Sequence, residues 1–385
     1  MSGLNYYQQQ LEQLKQKGNL RSFVSNIQQD HMIQINDQCM INLSSNDYLG
    51  LASNLNLREK FFDLTPNAQR VMSSSSSRLL TGNFPEYELL ENNLSSLFAG
   101  RSVLLLNSGY HMNIGILPAL AHSKTLILAD KLVHASMIDG IRLSNAKYVR
   151  YKHNDLEHLK QLIQQYHDDE NFEQIIVVTE SIFSMDGDET DLKALVEIKK
   201  LFHKIMLYVD EAHAIGVRGD KGLGCAEYYD VIDEIDFLVG TFGKALASVG
   251  GYIVCHSVIK EYLINTMRPL IFSTAQPPIC MAWTNFILNE VVHMNESREY
   301  IGKISQQLRE EILNKGFDCP STSQIIPVII GDSVQTVEKA QELQKAGFYI
   351  MPVRPPTVPQ NSSRLRICLN ANIQLSDIKQ LSELL

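Results

Sequence analysis

Between residues 85 and 255, short continuous apolar runs alternate with stretches of helical spacing. The runs are Ser102-Val-Leu-Leu-Leu-Asn107, Thr125-Leu-Ile-Leu-Ala129, Gln174-Ile-Ile-Val-Val-Thr179, Lys204-Ile-Met-Leu-Tyr-Val209, Phe237-Leu-Val-Gly240 and Gly251-Tyr-Ile-Val-Cys255. They lack polar alternation, the pattern of strands whose two faces are both covered by helices. Helical spacing fills the gaps over Glu86–Ala99 and over 111–121, 155–166 and 191–203. This alternation predicts an α/β domain with a mostly parallel central sheet. Residues 4–16 carry Leu4, Tyr7, Leu11 and Leu14 at helical spacing and predict an amphipathic helix. A β-rich stretch follows, Met32–Ile35 and Cys39–Leu43. Beyond residue 275, longer helices mix with two strands, Ile325–Ile330 and Leu365–Leu369, the pattern of a smaller α+β domain. The expected organisation is therefore 1–45 as helix and short β segment, 46–275 as the large domain, and 276–385 as the small one. The serine run Ser73–Ser77 reads as a polar loop.

Composition narrows the class. With 44% apolar residues in 385, the chain can bury a sizeable core and form two or three structural units. A net charge of −9 argues against broad nucleic-acid binding, which needs a basic face, but leaves local anion sites open. Six cysteines show no paired spacing and read as free thiols in a reducing compartment. The first twenty residues lack an apolar signal core, and no run is long enough to span a membrane. The expectation is a soluble, cytoplasmic protein.

The polar oddities of the chain collect at the carboxyl ends of the strands, where open α/β sheets bind ligands. Asn107-Ser-Gly-Tyr110 lies between a strand and a helix; it is either a common turn or a phosphate cradle of backbone N–H groups. Asp210-Glu-Ala-His213 ends another strand. Asp210 there is either a helix cap with a surface histidine or an acid for a protonated ring nitrogen, with His213 near a phenolic oxygen. Thr241-Phe-Gly-Lys244 ends a third. Lys244 alone reads as a solvated surface lysine; beside Asp210, His213 and Gly250-Gly251 it reads as a covalent anchor. An amine that forms a Schiff base, an acid that keeps a pyridine nitrogen protonated, and hydroxyls and amides for a phosphate together suit pyridoxal 5'-phosphate. His111 reads as structural or exposed, and His153, His158 and His167 as solvated.

At this point the chain resembles the α-oxoamine synthases, pyridoxal-phosphate enzymes of fold type I. The likeness runs from about residue 20 to 380. It is carried by Ser45-Asn-Asp-Tyr-Leu-Gly-Leu51, Ser77-Arg-Leu-Leu-Thr-Gly82, Asn107-Ser-Gly-Tyr110, His134-Ala-Ser136, Thr179-Glu-Ser-Ile-Phe-Ser-Met-Asp-Gly187, Asp210-Glu-Ala-His213 and Thr241-Phe-Gly-Lys244, in that order. The resemblance implies that Lys244 anchors the cofactor and later moves a proton, that Asp210 pairs with the pyridine nitrogen, that His134 stacks on the ring and that His213 bonds the phenolic oxygen. It implies that Gly109, Tyr110, Ser184 and Thr241 hold the cofactor, chiefly near its phosphate. Ser273 and Thr274 would reach the phosphate of a neighbouring subunit, so the implied assembly is a homodimer with shared active sites. Arg366 would bind the amino-acid carboxylate, with Arg364 its competitor two residues earlier; Asn46, Arg21 and Thr357 would contact substrate.

The implied reaction joins an amino acid to an acyl thioester with loss of carbon dioxide. Arg354-Pro-Pro-Thr-Val-Pro359 points to the branch that condenses L-alanine with a pimeloyl thioester in biotin biosynthesis. Sister reactions with glycine or serine share the scaffold. A non-catalytic subunit of the same fold typically lacks the anchoring lysine, which is present here in context. Three departures from the family pattern stand out: the serines at 73–77 replace a stretch usually richer in glycine, Glu211 lies inside the Asp-x-x-His segment, and Ile373 stands where many relatives have a histidine.

Overall fold

The computed structural model of the chain describes residues 3–385, which form two compact units. One comprises Asp47–Ser184 and Glu189–Glu299; the other joins residues 3–46, Met185–Asp188 and Tyr300–Leu385. The N-terminal segment therefore shares a unit with the C-terminal stretch Tyr300–Leu385. The expected helix near the N-terminus spans Gly3–Gln16, and its Leu4, Tyr7, Leu11 and Leu14 are exposed. It is followed by an antiparallel meander of β1 (Ile27–Gln29), β2 (Met32–Ile35) and β3 (Gln38–Asn42).

The larger unit is built on β4 (Ser102–Leu106), β5 (Thr125–Asp130), β6 (Lys147–Tyr151), β7 (Gln174–Glu180), β8 (Ile205–Asp210), β9 (Phe237–Thr241) and β10 (Gly251–Cys255). Their order in the seven-stranded sheet is β4-β10-β9-β8-β7-β5-β6. Only β10 runs against its neighbours, so the sheet is mostly parallel. All six apolar runs form strands. The seventh strand, β6, escapes the sequence pattern because it lies at the sheet edge: only Tyr151 of Lys147-Tyr-Val-Arg-Tyr151 is buried. Edge strands bury less and so keep polar residues.

Helices cover both faces of this sheet. Ile176, Val178, Val239 and Ile253 pack with Ile116 and Leu117 of the helix Gly109–Leu120 and with Met137 of the helix Ala135–Leu143. Each such fully buried aliphatic side chain stabilises the fold by roughly 1.5–3 kcal/mol. The helix Pro278–Val291 also belongs here. It packs on the helix Pro85–Leu97, where Asn93 Nδ2 donates to Asn285 Oδ1 at 2.7 Å and to Asn289 Oδ1 at 2.9 Å. This interhelical contact carries the larger unit past the expected boundary at 275 to residue 299.

The smaller unit contains β11 (Ile325–Gly331), β12 (Phe348–Tyr349), β13 (Pro352–Val353) and β14 (Ser363–Cys368). β14 lies between β11 and β13 in an antiparallel sheet, and β12 joins β3 in parallel. Ile373 is fully buried in this unit's core beside Leu308, Ile326 and Leu343, which accounts for an aliphatic residue there. All six cysteines are free. Among the described residues no helix is long and apolar enough to cross a membrane.

Glu211, just past β8, ties two segments of the larger unit together. Its fully buried carboxyl accepts from Ser181 Oγ at 2.6 Å, Cys225 N at 3.0 Å and Ala226 N at 2.7 Å. Gly224 precedes that helical turn with φ +111°, and a Cβ there would lie 2.6 Å from Glu211 Oε2, so glycine is required twice over. Burial pushes the Glu211 carboxyl from 4.5 up to about 7, against the three hydrogen bonds that favour its ionised form. The folded protein thus holds this proton more tightly than the unfolded chain. The associated stability is complete below pH 4.5 and is lost as pH rises through about 7. Urea unfolding of Glu211→Gln across this range should show a flatter slope of stability with pH than wild type, by about 3 kcal/mol over the window.

Candidate active site

Three adjacent strands of the larger unit end in carboxylates: Asp130 on β5, Glu180 on β7 and Asp210 on β8. All three are buried, and Glu180 and Asp210 are direct register partners. Neighbouring β9 ends in Thr241. Beyond them lies a cavity of about 190 Å³ lined by Asp210, Glu180, Lys244, His134, His213 and the first turn of the helix Gly109–Leu120.

Each wall has a local cause. Lys244 sits on the tight connection between β9 and β10. Thr241 Oγ1 donates to Gly250 O at 2.8 Å, Ser248 N to Phe242 O at 2.9 Å and Ala247 N to Lys244 O at 2.9 Å. Phe242, buried and stacked on Tyr252 at 5.3 Å, fixes the same turn. Lys244 Nζ lies 2.7 Å from His213 Nε2, and His213 Nδ1 lies 2.7 Å from the hydroxyl of fully buried Tyr48. With Nζ donating to Nε2, the imidazole carries its own proton on Nδ1 and donates it to the Tyr48 hydroxyl. Tyr48 is held by a turn in which Asp47 accepts from Leu51 N and Ala52 N, both at 2.9 Å.

Asp210 is oriented from two sides: Ala212 N donates to Oδ1 at 2.9 Å and Asn113 Nδ2 to Oδ2 at 3.0 Å. Asn113 is locked in turn, since Tyr208 Oη donates to its Oδ1 at 2.5 Å and its Nδ2 also reaches Ser136 Oγ at 2.9 Å. His134 caps the helix Ala135–Leu143; its Nδ1 accepts from Ser136 N at 3.3 Å and lies 2.8 Å from Ser136 Oγ. Its backbone N–H donates to Glu180 Oε1 at 2.6 Å. Burial holds the His134 imidazole below its ordinary range; Lys244 acts in the same sense, and Asp210 opposes both. The neutral ring therefore carries its proton on Nε2. His153, expected in solvent, instead lies 2.9 Å from the buried Asp130 carboxylate, because the edge strand β6 brings it over the end of β5.

Gly109, Tyr110 and Thr241 line the same cavity. Tyr110 is half exposed, and its hydroxyl donates to Asp139 Oδ2 at 2.7 Å. Ser184, in the turn after β7, and Ser273 and Thr274, after the helical turn Arg268–Ile271, do not line this cavity. Sequence reasoning passed over Glu180, Asn113 and Tyr48. Glu180 carries the same signal as Asp210, a carboxylate ending a buried strand, and Asn113 lies one helical turn beyond Gly109 on the same face.

The smaller unit gathers the other expected residues into two groups. Arg366 on β14 donates from Nη1 and Nη2 to Asn46 Oδ1 at 3.2 and 3.1 Å. Its competitor Arg364 is committed to an ion pair with Asp186. Arg21 Nη2 donates to Thr357 Oγ1 at 3.0 Å, and both line a cleft of about 180 Å³ with Arg354. Arg354 donates to Gly18 O. Burial first, and then the charge of Arg21, hold its guanidinium below the usual arginine range. Among the described residues neither Arg21 nor Arg354 is ion-paired with a carboxylate.

The donor set of the larger cavity suits the expected cofactor. It offers one amine, a carboxylate fixed by two N–H donors to face a cationic ring nitrogen, a neutral imidazole, and the open N–H groups of a helix start for a phosphate.

Known proteins extend this picture. Residues 38–385 match the family model of class I and II aminotransferases. A protein of Pasteurella multocida provisionally named 8-amino-7-oxononanoate synthase is 53% identical over 98% of this chain and 97% of its own length. One of Glaesserella parasuis with the same provisional name is 54% identical, covering 97% and 98%. Among solved structures, a serine palmitoyltransferase of S. paucimobilis with a PLP–myriocin aldimine bound has a TM-score of 0.88 at 26% identity, covering 100% of this chain and 96% of that one. An 8-amino-7-oxononanoate synthase of Francisella tularensis has a TM-score of 0.75 at 27% identity, covering 90% and 96%.

Asn113→Ala should strip buried Tyr208 and Asp210 of a partner each and lower stability by about 2–4 kcal/mol, read as a lower urea midpoint with unchanged slope.

Proposed function

The chain belongs to the class I and II aminotransferase family and, within it, to the α-oxoamine synthases, and on that premise we propose that it condenses L-alanine with a pimeloyl thioester to form 8-amino-7-oxononanoate, releasing carbon dioxide and the thiol. It is a pyridoxal-phosphate-dependent acyltransferase of fold type I. The observation that carries the finer reading is the cleft of Arg21, Arg354 and Thr357. Two guanidiniums without a carboxylate partner favour an anionic ligand, and a charge-assisted contact to a carboxylate is worth about 1.5–3 kcal/mol. A pimeloyl chain ends in such a carboxylate; acetyl and palmitoyl chains do not. The names of the relatives at 53% and 54% identity support the same substrate.

When bound, the cofactor supplies an electron sink for negative charge developing at the amino-acid Cα. The chain's own residues do the rest. Lys244 Nζ is the covalent anchor and, once released from it, takes and returns the proton at Cα. His213, 2.7 Å from that nitrogen, orients it and is the side chain assigned to the phenolic oxygen. Asp210 would keep the ring nitrogen of the bound cofactor protonated, and the neutral imidazole of His134 would pack against the ring. Gly109, Tyr110 and Thr241 hold the phosphate end, with Ser273 and Thr274 serving the second subunit of a cytoplasmic homodimer. Arg366 and Asn46 take the amino-acid carboxylate. Holding the amino acid and the thioester in one orientation replaces a bimolecular encounter by a local one.

Borohydride reduction of the yellow holoenzyme followed by peptide mapping should place a pyridoxyl group on Lys244; a tag on any other lysine refutes the anchor. Steady-state assays with alanine, glycine and serine against pimeloyl-, acetyl-, succinyl- and palmitoyl-CoA should favour alanine with pimeloyl-CoA. A preference for glycine with acetyl-CoA overturns the substrate assignment. Arg354→Ala should raise KM for the pimeloyl thioester about tenfold or more with little change in kcat, the pattern of lost uniform binding.

A further inference from the structure

The larger cavity holds a buried carboxyl for which the roles above have no use. Glu180 and Asp210 end adjacent parallel strands in register and line the same 190 Å³ space. Register partners on adjacent parallel strands have backbones about 4.8 Å apart and side chains on the same face, and two carboxyls that share one buried cavity disfavour each other's ionised form. The groups facing Glu180 come from every side: Asp210 from β8, Asp130 from β5, His134 from the start of the helix Ala135–Leu143, and Lys244 and His213 across the cavity. Asp130 is engaged by His153, Leu132 N at 2.7 Å and Asn154 N at 2.9 Å. The His134 imidazole is held neutral, so it offsets neither acid.

On the reading that Lys244 is the cofactor anchor, we propose that Glu180 is a neutral positioning residue: it keeps a proton on its carboxyl while Oε1 holds the backbone of His134, leaving Asp210 as the one carboxylate charge of the pair. The hydrogen bonds decide which acid takes the proton. Asp210 accepts on both oxygens, from Ala212 N and Asn113 Nδ2, which favours its ionised form. Glu180 accepts a single N–H, that of His134. Burial first, and then the charge of Asp210, push the Glu180 carboxyl well above its ordinary range, against the opposing pull of Lys244 and the His134 N–H.

The arrangement explains how a cationic ring nitrogen finds one carboxylate and not two. It also explains why a glutamate ends β7: it is long enough to reach the His134 N–H and, as an acid, neutral enough to sit beside Asp210. An ionised Glu180 would add a second negative charge near the cofactor and raise the proton affinity of its imine nitrogen.

The test pairs Glu180→Gln, the isostere of the protonated acid, with Glu180→Ala. In cofactor-free protein at neutral pH, the infrared difference spectrum of wild type minus E180Q should show the carbonyl stretch of a protonated carboxyl. In holoenzyme, the absorbance pH titration of the bound cofactor should shift by less than about 0.3 unit in E180Q, and pyridoxal phosphate should bind with Kd within about twofold of wild type. E180A, which releases His134, should bind it at least about tenfold more weakly. Carboxylate bands alone in the difference spectrum, a downward spectral shift of about one unit in E180Q, a glutamine variant that fails to fold, or an alanine variant with wild-type affinity would each overturn the proposal. The infrared measurement needs no cofactor, so a failure of the Lys244 assignment is told apart from a failure of this one.

Discussion

The structure depends on one electrostatic constraint: three buried carboxyl groups, Asp130, Glu180 and Asp210, close three neighbouring strands at the carboxyl edge of a mostly parallel sheet. Leaving a charged acid uncompensated in such a place costs several kcal/mol. Each acid is met by a different device. Asp130 takes a histidine and two backbone N–H groups. Asp210 takes a backbone N–H and an asparagine amide. Glu180 takes the N–H of His134, and a proton on the reading above. The amine of Lys244 faces this edge from the β9–β10 turn.

These compensating groups come from segments far apart in the chain, and they stiffen one another. Asn113 is gripped by Tyr208, so it can aim Asp210; Tyr48 is set by the Asp47 turn, so it can aim His213. A site built this way needs little rearrangement when charge develops in it, because its dipoles already point inward. The same economy appears outside the cavity, where Glu211 draws Ser181 and the Cys225–Tyr228 turn together around a single carboxyl. In the smaller unit the logic is inverted: among the described residues Arg21 and Arg354 stand together without an acid, which is the basis of the anionic substrate proposed above.

Much of this was written in the order of residues. Continuous apolar runs require strands covered on both faces, helical spacing between them requires crossovers, and together these determine an α/β fold with a mostly parallel sheet. Polar residues ending such runs mark the ligand edge, which is how Asp210, Thr241, Lys244, His213 and Gly109 could be singled out from sequence. Tertiary structure alone decided what periodicity does not encode. It placed β6 at an edge, where its polar side chains survive, and so gave His153 to Asp130. It carried the larger unit to residue 299 through contacts between helices. It distinguished Arg366 from Arg364 by giving the latter an acid, and set Arg354 beside Arg21. The physical reason is the same in each case: local pattern reports which side of an element is buried, whereas partners, charges and protons are assigned by what the fold brings within 3 Å from elsewhere in the chain.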